Sequence, residues 1–218
     1  MRGCLTTSVI MFAAPAALII DDFLTRDDHA ALLAHALSSE NDFAPTVVWY
    51  GAERVVARDS RLSWKCQTGL GEAEHRIAQA LIAAMPQAAT AIGMPAFALE
   101  KAEIELIAHR NGSFFNQHID TLTEGERDHV ESDRMISMVY YLHRQPQRFS
   151  GGELVLYPLG SGPQQVIEPR DNRLLAFPSF TRHEVKPVVV PDGDPFPDAR
   201  FAVNCWLHRA RTPVKPAS

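Results

Sequence analysis

The chain has 218 residues, 46% of them hydrophobic, and a formal net charge of -5. That is enough to bury one core, and it gives no general attraction to nucleic acid or to an anionic membrane. Cys4, Cys66 and Cys205 stand far apart with no CxxC pair, which fits neither a disulfide framework nor a zinc ribbon and reads as reduced thiols in a cytoplasm.

Taken in chain order, Arg2 and the apolar stretch from Val9 to Ile20 look at first like a short signal peptide. Pro15 interrupts that run, and Asp21 and Asp22 lead directly into a helix start, so the segment reads as a first strand. It is also well short of the ~20 apolar residues of a membrane span. A helix opens at Thr25, with Asp28 at capping-box spacing, and continues through Ala31, Leu32, Leu33 and Leu37. Residues 46–50 and 61–64 are predicted strands, and a second helix is predicted over about 71–85 from the spacing of Ile77, Leu81 and Ile82.

From about residue 99 the texture changes to short β-like runs at 103–108, 114–120, 135–142, 153–157, 173–177, 184–190 and 201–207. Gly, Pro, Asn and Asp clusters bound them, the pattern of an antiparallel sandwich or barrel. Two polar loops interrupt it, 121–133 and 191–199. The first carries Glu124, Glu126, Asp128, Glu131 and Asp133 against Arg127 and Arg134, and is expected to be a solvated connector or a lid. The expected organisation is one domain over 1–218, with residues 1–98 elaborating a β core at 99–210.

The strongest local signal is Gly112-Ser-Phe-Phe-Asn-Gln-His118-Ile-Asp120. In a strand, alternate side chains share a face, so His118 and Asp120 can converge on one ion while Ile119 turns away. His183, which begins another predicted strand, supplies a third ligand. Two imidazoles and one carboxylate form a facial triad that leaves positions open for a chelating co-substrate and oxygen, although the same set also suits a hydrolytic zinc site.

Other segments extend the pattern: Asn111-Gly-Ser-Phe-Phe-Asn-Gln-His-Ile-Asp120, Met138-Val-Tyr-Tyr-Leu142, Phe149-Ser-Gly-Gly-Glu-Leu154, Ile167-Glu-Pro169, Asn172-Arg-Leu-Leu-Ala-Phe177, His183-Glu-Val-Lys-Pro187 and Arg200-Phe-Ala-Val-Asn-Cys-Trp206. In this order they resemble the prolyl-4-hydroxylase branch of the iron(II)/2-oxoglutarate oxygenases. The resemblance implies a mainly β fold with supporting helices, a double-stranded β-helix of jelly-roll or cupin type. It also implies iron(II), 2-oxoglutarate and oxygen, with ascorbate as a reductant.

On this resemblance Arg200 grips the distal carboxylate of 2-oxoglutarate, for which a guanidinium offers two parallel hydrogen bonds. Tyr141 adds a hydroxyl donor and Leu154 and Val185 line the pocket, while alternation from Arg200 turns Asn204 into the same 2-oxoglutarate site, to hydrogen-bond near the metal. Trp206 and Arg134 are candidates for the wall of the substrate pocket. Alternation puts Arg200, Ala202, Asn204 and Trp206 on one face, and Ser137, Val139 and Tyr141 on one face of their own strand. Gly151 and Gly152 turn the chain ahead of Leu154.

The sequence departs from the family at two places. His109 stands where many relatives have a tyrosine, and is either a 2-oxoglutarate contact or an ordinary strand histidine. Residues 192–199 are an insertion that delays the basic residue to Arg200, while Arg182 and Lys186 precede the turn. The carboxylate of Asp120 implies hydroxylation rather than halogenation. The implied substrate is a prolyl residue of a peptide or protein. Alternatives are a free amino acid or other metabolite, or a non-catalytic barrel that binds or senses, and a monomer or homodimer fits either.

Overall fold

A computed structural model describes residues 14–50, 53–123, 130–191 and 193–211. Arg2, Cys4, residues 9–13 of the expected first strand, Asp192, and Glu124, Glu126, Arg127 and Asp128 of the acidic loop lie outside the described residues.

Two antiparallel sheets carry the fold. The larger runs Leu18–Ile20, Arg173–Pro178, Ser132–Leu142, Arg200–Ala210, Lys101–His109, Trp64–Cys66 and Phe43–Pro45 in spatial order. The smaller runs Gln165–Ile167, Leu154–Leu156, His183–Val185, Phe114–His118 and Arg61–Leu62.

The period-2 alternation of the two longest strands decides what each face buries. Met138, Tyr140, Leu142, Phe201, Val203 and Cys205 pack with Leu32, Ala36, Ile77 and Leu81 of the helices. Val139, Tyr141 and Ala202 point the other way, onto Leu154, Leu156 and Ile167 of the smaller sheet. The result is the expected double-stranded β-helix, with helices on the outer face of the larger sheet and the site between the two sheets.

Helix α1, Arg26–Ser38, starts as expected, with the Thr25 hydroxyl accepting from the Asp28 N–H. The second predicted helix is instead a 3-10 turn at Gly71–Ala73, then α2 at Glu74–Ala83 and α3 at Met85–Ala91. Pro86 lacks an N–H and is tolerated only in a first turn, so a new helix begins there. The expected run 184–190 is likewise split into His183–Val185 and Val188–Val189 on either side of Pro187. Short strands at Ser150–Gly151 and Gln165–Ile167 escaped the sequence reading.

Asp133 and Arg134 belong to a strand rather than to a solvated loop. Ser132 and Asp133 pair with Ala210 and Arg209 in the ladder, Asp133 accepts from Arg211 at 3.0 Å, and Arg134 is bound to Glu103 at 2.8 Å. Cys66 and Cys205 are free and buried, and burial pushes the Cys205 thiol up to about 12. Among the described residues no helix is long and apolar enough to cross a membrane.

Candidate metal centre and co-substrate pocket

The pairing of Phe114–His118 with His183–Val185 sets His118 directly opposite His183. Asp120 lies just beyond the strand end, not within it, and is docked by its N–H on the Ser179 carbonyl at 2.9 Å. Nε2 of His118 stands 3.6 Å from Oδ1 of Asp120, and Nε2 of His183 stands 3.6 Å from Oδ2. One ligand atom from each of the three residues falls within 4.8 Å of the others.

Hydrogen bonds behind the triad fix which atoms face the ion. Nδ1 of His118 lies 2.8 Å from the Asn116 carbonyl and Nδ1 of His183 lies 2.9 Å from that of Thr181. A carbonyl can only accept, so both Nδ1 atoms carry the proton and both Nε2 lone pairs are free for a metal. The Ser137 hydroxyl donates to Oδ2 of Asp120 at 2.6 Å and contacts the Ser179 hydroxyl at 3.0 Å. Phe115 stacks on the His118 ring at 3.5 Å between centroids, and Phe177 meets His183 edge-on.

Burial pushes His183 down to about 4 against the opposing pull of Asp120, so the imidazole is neutral near pH 7. Burial alone would raise the Asp120 carboxyl, but His183, His118 and Arg134 outweigh it and hold the group well below the usual carboxylate range. Two imidazoles and one ionised carboxylate form a donor set that suits a divalent first-row metal with open positions.

Arg200 is 1% exposed, and its Nη1 lies 3.1 Å from Nδ1 of His109 on the neighbouring strand. Among the described residues its buried Nε and Nη2 meet no hydrogen-bond geometry, and neither does the Tyr141 hydroxyl, although the two side chains are close enough to influence each other electrostatically. The guanidinium carbon sits 4.8 Å from the centre of the Tyr141 ring. A buried cation left with unmet donors is costly unless an anion completes it, so the pocket fits a dicarboxylate co-substrate. Gly152 keeps the space open: a Cβ there would stand 2.7 Å from Cδ of Arg200.

One cavity joins these groups. The triad, His109, Leu154, Val185, Arg200, Asn204 and Trp206 all line it. Tyr141 does not reach the wall and lies under the guanidinium. Arg134 is not on the wall either. Its guanidinium packs 4.0 Å from the centre of the Trp206 ring and forks onto Glu103, which also takes the His208 ring at 3.1 Å.

Sequence reasoning missed Arg61 and Phe115, which line the same cavity. Arg61 comes from the edge strand of the smaller sheet, brought in by its pairing with Phe115. No local pattern signals a ladder between segments so far apart. Ser137 could have been singled out, since its strand alternation already put it on the pocket face.

Residues 104–208 match the family model of the 2OG-Fe(II) oxygenase superfamily. An uncharacterised PKHD-type hydroxylase of Synechocystis is 28% identical over a 198-residue alignment that covers 87% of this chain. The chain spans 62% of that relative's length. A Pseudomonas putida prolyl-4-hydroxylase structure superposes with a TM-score of 0.64 at 22% identity, covering 89% of this chain and 93% of the other. A Trichoplax adhaerens prolyl hydroxylase, solved with a hypoxia inducible factor oxygen degradation domain peptide fragment, gives 0.68 at 21% identity and covers 88% and 83%. At these identities the two structures speak for the fold.

Proposed function

We propose that the chain is an iron(II)- and 2-oxoglutarate-dependent dioxygenase that hydroxylates a prolyl residue of a peptide or protein, a reading that starts from the match of residues 104–208 to the 2OG-Fe(II) oxygenase superfamily. The observation that carries this reading is the buried guanidinium of Arg200, whose Nε and Nη2 meet no hydrogen-bond acceptor in good geometry among the described residues, on the same cavity as His118, Asp120 and His183. A hydrolytic zinc site has no use for that cation.

In this reading His118, Asp120 and His183 would hold iron(II), and Arg200 would bind the distal carboxylate of 2-oxoglutarate. His109 steadies Arg200 through Nδ1 and keeps its Nε2–H for the co-substrate, with Tyr141 beneath. Iron with 2-oxoglutarate and oxygen supplies the oxidising power that puts a hydroxyl on a C–H bond and releases succinate and CO2. Leu154, Val185 and Trp206 keep water from the reacting centre. Asn204 is within the cavity to hydrogen-bond near the metal. Asp120 would supply a carboxylate ligand to the metal, which favours hydroxylation over halogenation.

The prolyl assignment is supported by the two prolyl hydroxylases of the same fold, one of them solved with a peptide. Ascorbate as accessory reductant, a cytoplasmic setting, and a monomer or homodimer belong to the same proposal. The test is succinate formation from 2-oxoglutarate with iron(II), with and without prolyl peptides. Turnover is expected to stop on chelation and in His118→Ala, Asp120→Ala and His183→Ala. A triad variant that still consumes 2-oxoglutarate overturns the metal assignment, and succinate coupled only to a small metabolite overturns the peptide substrate.

A further inference from the structure

Arg61 reaches the cavity from the edge strand of the smaller sheet. Its strand, Arg61–Leu62, pairs with Phe115 and Phe114, and its guanidinium carbon stands 4.7 Å from the centre of the Phe115 ring. That ring is itself stacked on His118. The guanidinium is therefore held over an apolar surface next to a metal ligand, an arrangement that orients a cation without neutralising it.

Its partners account for little of its hydrogen-bonding capacity. Nε donates to the Ser63 hydroxyl at 2.9 Å, and among the described residues no carboxylate forms an ion pair with Arg61. The nearby acids are committed elsewhere: Glu105 to Lys65 at 2.6 Å, Glu103 to Arg134 and His208, and Asp120 to the triad. A guanidinium offers five donors and stays charged at every accessible pH. Once a dianionic co-substrate has satisfied Arg200, the charge left over on the cavity wall is that of Arg61.

We propose that Arg61 anchors the substrate, and that the substrate presents a carboxylate close to the carbon that is hydroxylated. This rests on the dioxygenase reading of the same cavity and narrows its substrate to an anionic class. The carboxylate has two possible sources, an acidic residue beside the target proline or the α-carboxylate of a free amino acid.

The test is binding to the full chain loaded with iron(II) and 2-oxoglutarate in the absence of oxygen, followed by tryptophan fluorescence. The probes are end-blocked prolyl peptides with Glu, Gln or Lys beside proline, free proline and its amide, and an end-blocked Glu peptide lacking proline. The Glu peptide or free proline is expected to bind roughly tenfold more tightly than its uncharged counterpart, the scale of a charge-assisted hydrogen bond. Arg61→Lys should keep part of that preference, Arg61→Gln should erase it, and Arg61→Glu should turn it toward the Lys peptide. An inversion of preference cannot come from a misfolded protein.

Tight binding of the Glu peptide assigns the anion to a side chain, and tight binding of free proline assigns it to an α-carboxylate. Equal affinity for charged and neutral prolyl probes, or a preference that survives in Arg61→Gln, overturns the anchor and leaves the prolyl reading standing. Arg61-dependent binding of the proline-free Glu peptide alone supports the anchor and overturns the prolyl reading. Failure of every probe to bind overturns both.

Discussion

Nη1 of Arg200 and Nδ1 of His109 lie 3.1 Å apart, on residues that face each other across neighbouring strands. A guanidinium can only donate, so Nδ1 is an acceptor and the imidazole is neutral with its proton on Nε2. Burial is the main reason, and the positive charges of Arg200 and Arg61 push the same way, holding His109 well below the usual imidazole value. The tyrosine common in relatives could reach the co-substrate but could not accept from Arg200 through a ring nitrogen.

The pH dependence of stability follows from these histidines. Below about pH 6.5 an unfolded imidazole takes up a proton while the buried one does not, so the unfolded state binds more protons and stability falls as pH falls. The loss continues until the folded imidazole itself titrates, which for His183 is about 4. Across that window His183 alone corresponds to about 3 kcal/mol. Denaturant melts of the metal-free protein between about pH 7.5 and 4.5 should show stability decreasing with acid, less steeply in His109→Gln. Equal slopes in the two proteins would refute a neutral His109.

Gly152 is expected to control co-substrate binding without touching the co-substrate. Its φ is +73, and a Cβ would also stand 2.8 Å from Cγ2 of Val188. Gly152→Ala therefore meets backbone strain of about 1–2 kcal/mol and a collision with the side chain of Arg200. A displaced guanidinium should weaken 2-oxoglutarate binding by roughly tenfold or more, read by calorimetry with manganese in place of iron, while metal binding alone is kept. Unchanged 2-oxoglutarate affinity would show that Arg200 does not carry it.

Much of the site was legible because its residues lie on long strands. Alternation along Arg200–Ala210 and Ser132–Leu142 correctly separated the pocket face from the helix-facing core, down to Tyr140 and Tyr141. Motif order supplied His183, far from His118 in sequence but opposite it in register. The helix start at Thr25 was readable from a local cap, whereas the break before Met85 was not read from Pro86. What stayed hidden depends on nonlocal packing. Arg61 reaches the cavity only through pairing across the chain, Arg134 is drawn away from it by Glu103, and Gly152 matters through the path of a side chain on another strand. Asp120 joins His118 and His183 by docking on Ser179 beyond the strand end, a geometry that simple alternation does not describe.

Ser137 tests how the carboxylate ligand is held. Its hydroxyl donates to Oδ2 of Asp120, the oxygen that faces His183, and is itself supported by Ser179. Without that donor one carboxylate oxygen loses a short hydrogen bond in a buried site, and the group gains freedom to rotate away from the ion. Outer partners of metal ligands are typically worth about 10–100-fold in metal affinity. Ser137→Ala should accordingly weaken iron(II) or manganese binding on that scale, while 2-oxoglutarate affinity at saturating metal changes little, because Arg200 and His109 are untouched. Ser137→Thr, which keeps the hydroxyl, should recover part of the loss. Wild-type metal affinity in Ser137→Ala would mean that Asp120 is oriented by its backbone docking on Ser179 alone.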